Sequence, residues 1–207
     1  MPQLKLTYFD MHGGRAEPIR LALAIGNISF DDHRFSYPEF AEVRKNTPFN
    51  QVPVLEVDGV QITQCDSMLR YAGKLAGLYP TDAYQALLCD EVMFVIEEAG
   101  IKMGPTYRMT GEEQKAARLA LANSSIPVYL TWLEKKLAAN GGQYFADNRL
   151  TVADLKVFID IRTLNSGRLD HLPTDLVEKL APSLNAHMKC VAEHPAVVAY
   201  YAKFAAK

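Results

Sequence analysis

The sequence predicts two successive architectures, a mixed α/β segment over roughly the first 80 residues and an all-helical segment after it. Three observations predict this. Residues 4–9, 28–35, 54–57 and 60–63 have strand character, with branched or aromatic residues bounded by turn formers. Helical patterns interleave with them, so the order reads β-α-β, an irregular stretch, then β-β-α. Beyond Pro80-Thr81-Asp82 no strand signal of that quality returns, and apolar residues recur at helical spacing. The domains are therefore set at residues 1–79 and 85–207.

The elements follow in order. Strand 4–9 ends in the turn Asp10-Met11-His12-Gly13-Gly14. Helix 16–25 carries Ile19, Ala22 and Leu23 at helical spacing, with Pro18 in its first turn and Gly26-Asn27 as its stop. Residues 38–44 make at most a short helix. Val54 to Thr63 reads as a hairpin about Asp58-Gly59. Helix 66–76 presents Met68, Leu69, Ala72, Leu75 and Ala76 on one face, with Gly77 past its end. Helices are then expected at 83–103, 112–139, 152–164 and within 183–207. Thr151 and Asp154 form a capping box with Leu150 and Leu155 at the staple positions, a structural feature worth about 1 kcal/mol.

The chain has 207 residues, 49% hydrophobic and 22% charged, with formal net charge -2. That balance gives no bulk basic field for nucleic acid or anionic lipid. Its three cysteines lack metal spacing and fit a reducing compartment. No apolar run reaches membrane-spanning length and no leader pattern opens the chain. A soluble cytoplasmic protein is expected, with neither nucleic acid nor membrane as partner and no metal.

Chemistry can converge at three places. Gln51-Val52-Pro53-Val54 puts a proline at a strand entrance; read alone, it is a trans proline on an edge strand, while a cis bond would turn Val52 outward to pair with an extended peptide. Gln64-Cys65-Asp66 opens a helix, where backbone N–H groups favour an anion or lower a thiol pKa; Asp66 as an ordinary cap weighs equally. Tyr8 closes the first strand before a glycine turn, where a phenol serves either a ligand or core packing.

Taken in order, Tyr8-Phe9, Gly14-Arg15-Ala16-Glu17, Ile19-Arg20, Pro48-Phe49-Asn50-Gln51-Val52-Pro53-Val54-Leu55, Gln64, Arg70-Tyr71, Gly141-Gly142-Gln143-Tyr144-Phe145 and Leu150-Thr151-Val152-Ala153-Asp154 resemble the cytosolic glutathione transferases, nearest the tyrosine-type sigma, pi and mu classes. The resemblance implies a thioredoxin-like domain, an all-helical domain, a homodimer and a cis Pro53. It implies that Tyr8 and Arg15 are catalytic. Val52 would pair with the cysteinyl backbone of glutathione, Arg44 and Gln51 would face its glycine carboxylate, and Gln64 and Cys65 its γ-glutamyl carboxylate. Phe40 stands where a tryptophan is usual, and Glu98 of the partner subunit would receive the ammonium. Glutathione is then a co-substrate, and no cofactor is implied.

A cysteine-like thiol has a pKa of about 8.5, so a hydrogen bond from Tyr8 that lowers it by about two units supplies roughly 2.7 kcal/mol. The thiolate would attack a small apolar electrophile against Met11, Met103, Tyr107 and Phe204. A prostaglandin-type isomerase, a noncatalytic carrier of apolar ligands and thiol–disulfide exchange at Cys65 are the alternatives. Three departures from the family pattern stand out: one more residue between Tyr8 and Arg15, Cys65 for serine, and Phe40 for tryptophan. Phe49 is either an aromatic key for a neighbouring subunit or a buried core ring.

Overall fold

The computed structural model describes residues 2–205, which form two compact units. The first comprises the chain up to Tyr79 together with residues from Ala199 onward; the second is Pro80–Val198.

The first unit is built on a four-stranded sheet of order β2-β1-β3-β4. Strand β1 (Leu4–Phe9) runs parallel to β2 (Asp31–Phe35) through the crossover helix α1 (Glu17–Ile25). After the short helix α2 (Phe40–Val43), β3 (Val54–Val57) pairs antiparallel with β1 and β4 (Val60–Ile62) antiparallel with β3, and helix α3 (Cys65–Leu75) follows. Register sets Tyr8 beside Arg34, and Leu6 between Asp32 and Leu55. Leu4 and Leu6 of β1 are buried, as is every residue of α1 from Glu17 to Leu23.

Strand β2 begins at Asp31 rather than at residue 28. Asn27 takes a left-handed φ of 52° and the Ile28 N–H returns to the Leu23 carbonyl at 2.8 Å, a closure that spends these residues on ending α1. Gly26 marks the contact between two helix ends: a Cβ there would stand 2.5 Å from the Ala76 Cβ.

The second unit is helical: α4 (Ala83–Met103), α5 (Gly111–Ala122), α6 (Ser125–Ala139), α7 (Val152–Asn165), α8 (Leu176–Leu180) and α9 (Pro182–Ala192), with the start of α10 (Pro195–Ala205). Asp82 caps α4, accepting from the Tyr84 and Gln85 N–H groups at 3.1 and 2.9 Å. Val92, Met93 and Ile96 of α4 and Val157 and Ile161 of α7 lie in the core, where these two helices pack. The single helix expected over 112–139 is two. Pro127 has no N–H to give and its ring clashes with the carbonyl of residue 123, so the chain breaks at Asn123-Ser124 and restarts. Pro195 likewise opens α10 as a separate helix. No described helix is long and apolar enough to cross a membrane.

Candidate active site

Tyr8, only 8% exposed, lies near the end of β1. Its hydroxyl accepts a hydrogen bond from the Arg15 backbone N–H at 3.3 Å. The chain reaches that position because Gly14 adopts φ +66°; a Cβ on Gly14 would sit 2.7 Å from the Tyr8 Oη. The additional residue before Arg15 thus belongs to a turn that lays backbone directly on the phenol. Burial raises the Tyr8 pKa, the Arg15 N–H and charge pull it back, and Cys65 and Tyr37 push it up again. The phenol therefore stays protonated at neutral pH and keeps a proton that it can donate. Those causes also give its neighbours: Arg15 and Cys65, both anticipated, and Tyr37, which was not.

Tyr37 is exposed, stacks on Phe9 with ring centroids 4.6 Å apart and donates to the Met11 Sδ at 3.5 Å. Phe40 packs on Phe9 at 5.1 Å, and the Arg44 guanidinium lies 5.3 Å from the Phe40 ring centroid. Phe40 and Arg44 are thus neighbours. The Val52–Pro53 bond is cis, as the resemblance implied. Gln51 is exposed, Val52 half-buried and Pro53 buried.

Helix α3 begins one residue earlier than expected, at Cys65, with Gln64 in the cap position at φ 71°, ψ 107°. Asp66 is therefore inside the first turn, and the reading of Asp66 as the cap is corrected. A non-glycine residue in such a conformation costs on the order of 1–3 kcal/mol and concentrates at functional sites. Gln64 is exposed, and its side chain makes no capping hydrogen bond to the helix whose first N–H groups it precedes.

Phe204, in the last turn of α10, belongs to this unit too; its ring lies 4.4 Å from His12 and 4.9 Å from the Arg34 guanidinium. Glu98, Met103 and Tyr107 belong to the helical unit. Glu98 is exposed and accepts from the Tyr129 hydroxyl at 2.7 Å, with Lys102 at 3.9 Å. Met103 is buried and its Sδ accepts from Thr106 at 3.3 Å, whereas Tyr107 is exposed. Phe49 is 73% exposed at φ 57°, so it is not a core ring of this chain. Among the described residues no group of three or more His, Cys, Asp or Glu is placed to hold a metal ion.

Comparison with known proteins decides the family. The glutathione S-transferase N-terminal domain matches residues 4–74, and the C-terminal domain of the same name matches residues 102–204. A glutathione S-transferase of Anopheles gambiae is 31% identical over 208 residues, 98% of this chain and 97% of its own. The chain belongs to the glutathione S-transferase family. This transferase also resembles hematopoietic prostaglandin D synthase of Gallus gallus, 30% identical over 98% of the chain and 97% of that protein. Among solved structures, prostaglandin synthase D of Nilaparvata lugens superposes with a TM-score of 0.86 at 28% identity, covering 98% of both chains. Tyr8, Arg15, Cys65, Phe40 and Arg44 all lie in the four-stranded unit, within the stretch that the N-terminal domain matches.

Proposed function

We propose that this transferase activates glutathione through Tyr8, whose hydroxyl donates to the sulfur and holds it as thiolate, with Arg15 adding positive field. The observation that carries the reading is the Tyr8 hydroxyl itself. It is buried, kept protonated, and oriented by an N–H bond that occupies an oxygen lone pair while leaving the proton to give. A donor fixed before the substrate arrives pays no reorganisation when the thiolate forms. In this proposal Gln64 and Cys65 receive the γ-glutamyl carboxylate at the start of α3, Val52 beside Pro53 pairs with the cysteinyl backbone, and Arg44 and Gln51 face the glycine carboxylate, with Phe40 beneath Arg44. Met11 and Phe204 of the four-stranded unit are assigned to the acceptor side for small apolar electrophiles. The protein works in the cytoplasm.

We further propose a homodimer in which Glu98 of the partner subunit meets the glutathione ammonium. Helix α4 supports this: Tyr84, Leu87, Phe94 and Ile101 are all exposed and fall on one face, a stripe that a monomer would leave wet. In the other unit, exposed Phe49 is a ring suited to insertion into a neighbour. A prostaglandin-type isomerase is the second reading, favoured by the likeness to the two prostaglandin D synthases.

The test is steady-state conjugation of glutathione to a panel of electrophiles by the wild type and Tyr8→Phe. Loss of the hydrogen bond returns the thiol toward its free pKa, so kcat/KM at neutral pH should fall about ten- to a hundredfold while the melting temperature holds. Equal activity in the two proteins would end the role given to Tyr8. Product analysis with a cyclic endoperoxide substrate separates conjugation from isomerisation.

A further inference from the structure

Behind Tyr8 lies a network of buried charge that glutathione activation does not use directly. Arg20 is fully buried on α1. Its Nε donates to Asp32 at 2.8 Å, its Nη1 to the Met11 carbonyl at 3.0 Å and to Glu17 at 3.3 Å, and its Nη2 to the Phe9 carbonyl at 3.3 Å. The loop after Tyr8 is thereby stitched to α1 through two backbone carbonyls. Asp32 also takes the Arg34 Nε at 2.7 Å, and Arg34 reaches Asp10 at 3.4 Å.

The same network grips the chain terminus. Arg34 donates to the Tyr200 hydroxyl at 3.3 Å and lies over the Phe204 ring. His12, midway along the loop between Tyr8 and Arg15, places its Nδ1 3.5 Å from Glu17 and its ring 4.4 Å from Phe204 and 5.9 Å from Tyr201. Tyr200 and Phe204 are one helical turn apart, so a single face of α10 meets both His12 and Arg34. Burial also raises the Tyr200 phenol above the ordinary tyrosine range, so it stays neutral in this contact.

We infer that His12 and Arg34 form a two-point clasp that ties residues 200–204 to the loop carrying Arg15, making His12 a positioning residue for thiol activation. This rests on the role proposed for Tyr8. The reasoning is geometric. The bond from the Arg15 N–H to the Tyr8 hydroxyl spans a loop containing Gly13 and Gly14, which by themselves do not hold one conformation. Arg20 fixes the near end of that loop. On the far side, its one ring is His12, which lies between the Glu17 carboxylate and the aromatics of residues 200–204. Releasing that ring lets the Arg15 N–H wander, and a donor loosened by about 1 Å loses most of its advantage.

The experiment compares wild type with His12→Ala, Phe204→Ala, the double variant, Phe204→Tyr and, as an outer-face control, Lys203→Ala. Hydrogen exchange of residues 9–16 is read in the unliganded protein, and the pH midpoint of glutathione thiolate formation is read by ultraviolet absorbance. Exchange over 9–16 should quicken about five- to tenfold in each alanine variant of His12 and Phe204. The midpoint should rise by about half a pH unit and kcat fall about threefold, with KM for glutathione changed less than twofold. The double variant should be no worse than either single one, because both break one contact. Lys203→Ala should match wild type, and Phe204→Tyr, which keeps a ring, should keep the wild-type exchange over 9–16. Unchanged exchange in Phe204→Ala would overturn the clasp, and loosening with an unmoved midpoint would overturn its catalytic role. A wild type that forms no bound thiolate would instead overturn the role of Tyr8, and with it that of His12, while exchange would still decide the clasp.

Discussion

Tyr8 in the four-stranded unit and Asp154 in the helical unit are both buried, both hydrogen-bonded and both flanked by backbone donors, yet their hydrogen-bonding capacity is filled to opposite degrees. Asp154 is fully committed. One oxygen accepts the Thr151 N–H at 2.7 Å and the Thr151 hydroxyl at 2.8 Å; the other accepts the Phe145 N–H at 3.0 Å and faces the His187 Nε2 at 3.0 Å. A carboxylate has about four lone-pair sites, and all four are taken. The Tyr8 oxygen takes one N–H and keeps its proton. The cysteines repeat the contrast. Cys89 lies wholly buried beside Thr151 and Ala153, where burial pushes its thiol up to about 12, whereas Cys65 lies half-buried at the start of α3. Saturated valence marks a group that holds the fold; residual valence in a fixed place marks one that can act.

The sharpest way to break that contrast is Asp154→Ala. It strands two backbone N–H groups and a buried imidazole at once, which should cost about 3–5 kcal/mol in denaturant unfolding. For a chain of this size the melting temperature should drop by about 10 °C. If the variant instead unfolded like wild type and lost turnover, Asp154 would belong with Tyr8 and the distinction would be lost. Tyr8→Phe is the mirror experiment, with its effect on turnover and not on unfolding.

These two differ also in how plainly the sequence announced them. The capping box lies within four residues and its partners are set by helix geometry, so Thr151 and Asp154 could be paired on sight. The cis bond before Pro53 was legible only through family likeness, since trans is the commoner state of such bonds. Gly14 was seen as an unusual spacing; its purpose needed the third dimension, where a Cβ meets the phenol. Tyr37 gave no signal, because its nearness to Tyr8 depends on how the chain turns after β2. Glu17 and Arg20 left a faint one. They stand three apart in a helix whose other residues, Pro18 to Ile25, are all apolar, so the helix has no polar face for them except a buried pair. The contact between His12 and Phe204 joins opposite ends of the chain, and no local pattern encodes it. The break in the expected 112–139 helix was available in Pro127, which a long apolar period obscured.

Gly14→Ala tests the contrast at smaller scale. At φ +66° an alanine is strained by about 1 kcal/mol, and its Cβ must displace the Tyr8 hydroxyl from 2.7 Å. Stability should fall by a few degrees, and kcat/KM about tenfold, through misplacement of a donor that is chemically intact. A Gly14→Ala protein with wild-type turnover would mean that the Arg15 N–H does not orient Tyr8.

Asp160 offers the smallest and most discriminating effect, because it is a largely buried carboxylate of α7 that is not saturated like Asp154. Burial raises its pKa to about 6, against the opposing field of Lys156, whose Nζ is held by Glu97 at 3.1 Å. The folded chain therefore keeps this proton over a range where the unfolded chain has released it. Stability contributed by the group is complete below about pH 4 and is lost as pH rises to about 6, which is the reverse of the behaviour of a paired carboxylate. The shift corresponds to about 3 kcal/mol, and an amide in its place must bury its own hydrogens, so Asp160→Asn should gain about 1 kcal/mol at pH 7.5 and nothing at pH 4. Unfolding measured at both pH values for both proteins isolates the group, since every other titration cancels in the difference. A variant less stable than wild type at pH 7.5 would mean that the Asp160 charge is held by partners as Asp154 is, and that burial without saturation is not what separates the two carboxylates of α7.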